Sequence, residues 1–238
     1  MSRFVSCGEL RSQRGDGFRP PDFLRPKDGI FRGDLRITND MLDKNGRLMF
    51  KLKEVTGNFR CSYTNISSLE GAPKTVGGGF RCNDNRKLTS LEGAPQTVVK
   101  NFLCTDNPKL TSLKGAPKTV GGGFSCDNNP KLTSLEGAPE TVEGNFSCDN
   151  NPKLTSLKGA PKIVGEGYFS CSYNPKLTSL KGAPKTVGGD FWCRHTNISS
   201  LEGAPKIVDG DFFIQDTGRQ FTEEEVRAVC DVKGKVFV

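Results

Sequence analysis

The chain has 238 residues, 34% of them hydrophobic, with 28 glycines, 14 prolines, nine cysteines and a formal net charge of +7. No apolar run approaches the ~18 residues of a membrane-spanning helix. The charge is spread as +4 over residues 1–54, +4 over 55–214 and −1 beyond, which argues against the clustered footprint of a dedicated nucleic-acid binder.

Residues 1–30 are rich in Arg, Pro and Gly, as in Arg19-Pro20-Pro21 and Arg25-Pro26, and are expected to be irregular. The opening MSRFVSCGELRSQRGDGF lacks the apolar stretch of a signal peptide, so a cytoplasmic location is expected. Leu35-Arg36-Ile37, followed by Asp40, reads as a degenerate first coil. Met41 to Leu52 reads as a hairpin around Asn45-Gly46, with Leu48, Phe50 and Leu52 turned inward.

From residue 55 to 214 one phrase recurs: F-x-C, an Asn or Thr, L/I-x-S-L-x-G-A-P, then Val. Its cysteines are Cys61, Cys82, Cys104, Cys126, Cys148, Cys171 and Cys193, spaced 21, 22, 22, 22, 23 and 22 residues apart, and Ile214 takes an eighth such place. A fixed period in the low twenties is the signature of stacked coils that bury their apolar faces only against their neighbours. The expected fold is therefore mainly β, a solenoid of about eight 22-residue coils with short parallel strands. In the coil of residues 120–142, Val120, Gly122, Phe124 and Cys126 share a parity, which predicts one strand with all four on the same side. Asn129 is placed to bond the backbone of a bend and of the neighbouring rung. Leu132 and Leu135 return to the core, and Gly137-Ala138-Pro139 turns the chain again. After residue 214, Thr222 and Glu225 form a capping box on a short helix with Val226, Val229 and Cys230 on one face. The organisation expected is residues 1–54 as an irregular segment and capping hairpin, 55–214 as the solenoid, and 215–238 as a helix-plus-strand cap.

Seven cysteines in one phase of a repeat read as buried thiols acting as small apolar fillers, as Ile214 in the eighth place also suggests. No C-x-x-C or Cys/His cluster supports a metal site, and no cofactor is expected. Catalysis finds little support. His195 is the single histidine, Asp127 and Asp149 read as solvated residues on adjacent rungs, and the runs Gly77-Gly78-Gly79 and Gly121-Gly122-Gly123 do not precede a helix as a phosphate loop would. No enzyme is expected.

Function is sought where the coils disagree. The residue between Phe and Cys runs Arg60, Arg81, Leu103, Ser125, Ser147, Ser170, Trp192 and Phe213. The second residue after the cysteine runs Tyr63, Asp84, Asp106, Asn128, Asn150, Tyr173, His195 and Asp216, and both positions are read as solvent-facing strand positions. Large residues gather at the two ends. Trp192, Arg194, His195, Tyr173 and Phe213 mark one end, and Arg60, Tyr63 and Arg81 the other. Trp, Tyr and Arg are the types enriched at binding hot spots, so these eight are the candidate partner-binding residues. A second pattern, Lys87, Lys109, Lys131, Lys153 and Lys176, predicts a basic ridge on which a polyanion or nucleic acid could lie, although it lacks interleaved aromatics.

The pattern L-x-x-L…P-x-x-V…F-x-C-x-x-N resembles the short leucine-rich repeats of bacterial effector proteins. The wording LTSLEGAPKTVGGxFxC is similar, over residues 55–214, to tandem repeats in uncharacterised proteins of tailed bacteriophages and some giant viruses. That resemblance implies a viral protein binding a host bacterial factor or defence component in the host cytoplasm; a virion structural part is a further alternative. Three residues separate Val120 from Phe124 where standard leucine-rich repeats have two, which leaves a general β-solenoid open.

Overall fold

The computed structural model describes residue 24 and residues 26–238; most of the expected irregular N-terminal segment lies outside the described residues. Each turn of the chain gives one two-residue strand to each of two parallel sheets. The first sheet runs Ile30–Phe31, Glu54–Val55, Thr75–Val76, Thr97–Val98, Thr119–Val120, Thr141–Val142, Ile163–Val164, Thr186–Val187, Ile207–Val208 and Asp231–Val232. The second runs Leu35–Arg36, Phe59–Arg60, Phe80–Arg81, Phe102–Leu103, Phe124–Ser125, Phe146–Ser147, Phe169–Ser170, Phe191–Trp192, Phe212–Phe213 and Val236–Phe237. Strand order follows chain order in both sheets. The molecule is thus a parallel β-solenoid of about nine turns.

Because every pair is in register, each repeat position becomes a column. Val, Phe, Cys and the two leucines of a central coil (Val120, Phe124, Cys126, Leu132 and Leu135) are at most 1% exposed. The phenylalanine rings from Phe59 to Phe212 follow one another at centroid separations of 4.8 to 5.5 Å. Such pairs contribute roughly 0.5–1.5 kcal/mol each beyond the area they bury. The eight described cysteines are free and buried. Burial raises the Cys126 thiol well above its usual range, and its Sγ lies 3.6 Å from the Ser147 carbonyl of the next coil. This is a packed thiol, not a reactive one.

The bend after each cysteine would strand backbone groups in the core, and a buried asparagine resolves this. Asn85, Asn107, Asn129, Asn151 and Asn174 are all fully buried. Asn129 Oδ1 accepts from the Asn107 amide at 2.9 Å, while its Nδ2 donates to the Cys126 carbonyl at 2.7 Å and the Cys104 carbonyl at 3.1 Å. Asn151 repeats the pattern one coil on. At the ends threonine takes over: Thr64 and Thr196 hydroxyls donate to the Cys61 and Cys193 carbonyls. The glycine of each G-A-P corner is equally constrained. Gly137 has φ +94°, and a Cβ there would stand 2.6 Å from the Lys114 amide nitrogen, so only glycine fits.

Three expectations change. The stretch from Val120 to Cys126 is not one strand: Gly121–Gly123 turn the chain between the two sheets, and glycine carries no side chain by which parity could have shown the corner. The hairpin is present, with Leu42 and Leu48 in an antiparallel bridge, but both sheets already begin before it, so it forms the third side of the first coil. The capped helix Glu223–Val229 likewise lies between the last two strand pairs and stands in for the L-T-S-L side. Its capping box forms as expected, whereas Val229 is exposed and the buried face is Phe221, Val226 and Cys230.

Replacing Asn129 by Ala leaves the Asn107 amide without its partner in the core and removes one of the two side-chain donors to each of the Cys104 and Cys126 carbonyls, which keep Asn107 Nδ2 and Asn151 Nδ2. We expect a loss of about 2–4 kcal/mol, read by chemical denaturation. Asn129→Thr, which imitates the terminal coils, should lose less.

Candidate binding face

The outward position of the second sheet is a continuous column in which register pairs each residue with the next. It begins with Arg36, Arg60 and Arg81, all exposed. It passes through Leu103, Ser125, Ser147 and Ser170, and ends with Trp192, Phe213 and Phe237. Arg36, in the degenerate first coil, and Phe237, in the last, extend the expected set at both ends.

At the C-terminal end Tyr168 stacks on Trp192 with centroids 5.2 Å apart and planes 3° from parallel. Trp192 meets Phe213 edge-on at 5.6 Å, and Phe213 stacks on Phe237 at 4.5 Å. The Arg194 guanidinium lies 5.6 Å from the Trp192 ring and 5.5 Å from the Phe213 ring, a favourable cation–π arrangement. Trp192 Nε1, Arg194 Nε and Gln215 Oε1 are buried there without hydrogen-bond partners. Tyr168 was missed in the sequence because it precedes the Phe, at a position otherwise held by Asn, Gly or Asp.

The second column is not a strand position. Tyr63, Asp84, Asp106, Asn128, Asn150, Tyr173, His195 and Asp216 all have φ between 52° and 59°, so each forms a left-handed turn. Asn and Asp tolerate that conformation and bulky residues resist it, which explains the asparagines and aspartates and makes the tyrosines the exceptions. The Asn/Asp majority was the signal that could have shown it. Tyr173 stacks on His195 at 4.5 Å, and His195 Nδ1 lies 3.4 Å from Asp216. Tyr63 is 74% exposed, and a hydrogen bond to Asp84, then the charge of that carboxylate, raises its phenol pKa. The structure thus gathers Tyr173, Trp192, Arg194, His195 and Phe213 at one end, with Arg60, Tyr63 and Arg81 at the other. The five ridge lysines are exposed on successive coils.

Between the ends lies a depression of about 700 Å³ lined by Gly121–Gly123, Ser125, Ser147, Asp127, Glu143, Glu166 and Tyr168. Asp127 and Asp149 are here rung ties. The Asp149 amide donates to Asp127 Oδ1 at 2.8 Å, and the Ser172 amide to Asp149 Oδ1 at 2.7 Å. Ser62, Asn83 and Ser172 accept from the next rung in the same way. The expectation of solvated carboxylates fails for Asp149. Burial, chiefly, and the Asp127 charge push its carboxyl up to about 6, while the Ser170 hydroxyl, the Ser172 amide and Arg194 pull the other way. Burial and the two carboxylates also raise the Tyr168 phenol.

Among known proteins, the chain matches no family model, no curated protein and no solved structure. The fold and the columns on its surface carry the argument. No described helix is long and apolar enough to cross a membrane.

Two outcomes follow. Tyr63→Asn should stabilise the fold by about 0.5–1 kcal/mol, since it relieves a left-handed tyrosine; thermal denaturation measures it. For Asp149 the folded state holds its proton more tightly than the unfolded chain. Its contribution therefore falls as pH rises from about 4 to 6 and stays low above that. Asp149→Asn should gain stability relative to wild type across that window, by at most about 2–3 kcal/mol, as paired melts at pH 4 and pH 7 would show.

Proposed function

We propose that the chain is a non-enzymatic binding module that takes a protein partner on the outward face of the second sheet. The observation that carries this is the stack of Tyr168, Trp192, Phe213 and Phe237 with Arg194 lying over two of the rings. Aromatic and arginine side chains held in one geometry lose little entropy on binding, and they dominate interface energetics. The tyrosines kept in left-handed turns support the same reading, since strain retained at exposed positions favours a use for the side chain. The carboxylates of Asp127 and Asp149 are engaged in tying rungs, which weighs against a catalytic pair. The resemblance in repeat wording supports a leucine-rich-repeat-like, bacteriophage-encoded protein that binds a bacterial host factor or defence component in the host cytoplasm.

The lysine ridge offers a polyanion or nucleic acid a line of exposed charge. It is the weaker reading: the adjoining turns carry Asp84 and Asp106, and no ring interleaves with the lysines.

The test is quantitative capture from bacterial lysate, followed by calorimetry with the purified partner. Trp192→Ala with Arg194→Ala should weaken binding about 30-fold or more with little change in melting temperature. Undiminished binding by that folded double variant would sink the proposed anchor.

A further inference from the structure

At the exposed S-L-x-G position of the repeat, charges of opposite sign meet across three pairs of neighbouring coils. Lys114 pairs with Glu92 at 3.1 Å, Lys158 with Glu136 at 2.6 Å and Lys181 with Glu202 at 2.9 Å, each across neighbouring coils. The N-terminal end of the second sheet's face does the opposite. Arg36 is register-paired with Arg60, and Arg60 with Arg81. Like charges directly opposite one another on neighbouring strands are destabilising. The repeat does not demand them, since Leu103, Ser125 and Trp192 occupy the same position over the same core.

No described ion pair neutralises this stack. Among the described residues, none of the three guanidiniums pairs with a carboxylate within 4.0 Å. The acid nearest in effect is Asp34, whose carboxyl is held low first by the Asn58 amide and side chain, then by Arg60 and Lys100. Its oxygens already accept from Asn58 N at 2.7 Å and Asn58 Nδ2 at 3.0 Å. Lys100, also exposed, adds a fourth cation to the patch.

We propose that Arg36, Arg60 and Arg81 form a subsite for an acidic segment of the partner protein, an inference that rests on the protein-binding reading above. Guanidinium forks match carboxylates in bidentate geometry. Three rungs span roughly 10 Å, about three residues of extended peptide, so a short glutamate or aspartate run fits. A nucleic acid fits less well. Beyond Leu103 the face turns acidic at Asp127, Glu143 and Glu166, which would repel a continuing phosphate backbone. The outward column also carries no ring for a base to stack on until Trp192.

The test is fluorescence anisotropy with a labelled hexaglutamate peptide, a hexaserine control and a thymidine hexanucleotide, each at low and moderate salt. The proteins are wild type, Arg36→Gln/Arg60→Gln/Arg81→Gln, and Lys109→Gln/Lys131→Gln/Lys153→Gln. We expect hexaglutamate to bind wild type in preference to hexaserine, to weaken at least tenfold in the arginine variant and to change less than twofold in the lysine variant. The arginine variant should melt at the same temperature as wild type or higher. Absence of hexaglutamate binding, loss through the lysine variant instead, or a lowered melting temperature in the arginine variant would each overturn the subsite. Tighter, arginine-dependent binding of the oligonucleotide would overturn the choice of an acidic peptide. The peptide assay needs no purified partner. An intact tryptophan–arginine anchor with a negative peptide result therefore removes only the subsite, and the reverse removes only the anchor.

Discussion

In-register stacking turns every choice in this sequence into a column, and a column can be buried only if its backbone is satisfied at every rung. The asparagine ladder meets that requirement where it is hardest, at the bend inside the core. One side chain accepts from the preceding coil and donates to its own coil and the preceding one. Leucine there would supply burial but leave a core amide unpaired and strip one donor from each of two carbonyls, at a cost comparable to a good apolar contact or more. The ladder therefore fixes the spacing at which the phenylalanine and cysteine columns can close. Because each coil meets only its neighbours, stability is close to a sum over adjacent pairs.

The same logic explains the surface. A charge repeated on successive rungs faces its own copy; at the S-L-x-G position the chain mixes Glu and Lys, and three ion pairs form there across the coils. Exposed pairs of this kind contribute little stability; their main effect is to avoid repulsion. Against that habit, unbroken like-charged or bulky columns stand out. The left-handed turns follow a similar rule: the backbone selects Asn or Asp, and a tyrosine is a departure with an energetic cost.

Much of the scaffold was legible in the sequence. The period, the buried Phe, Cys and Leu columns and the bonding of Asn129 all follow from residue types at fixed phase. The corner at Gly121–Gly123 was not legible, because parity cannot be read through residues without side chains. The rung-tying column of Ser62, Asn83, Asp127, Asp149 and Ser172 was not read as a column, because its members differ in charge and size, yet all present a short side-chain oxygen to the next amide. The first coil was legible in Leu35-Arg36-Ile37, although Arg36 was not joined to the binding set; Phe237 was hidden because a helix replaces the repeat's third side there, and with it the phrase that marks the phase.

A solenoid face of this kind has little freedom to adapt: between its end strands, its residues sit on two-residue strands paired on both sides, above a close-packed core. Recognition must therefore come from the order of features along the axis. Arg60 and Trp192 are six rungs apart, about 29 Å at the usual strand spacing. A partner engaging both ends must cross the serine-lined middle, where Ser147 and Ser170 are buried and their hydroxyls donate to Asp127 and Asp149. That middle offers shape and negative charge but few free hydroxyls. Affinity must then come from the two ends, while the middle discriminates by repelling whatever carries the wrong charge across it.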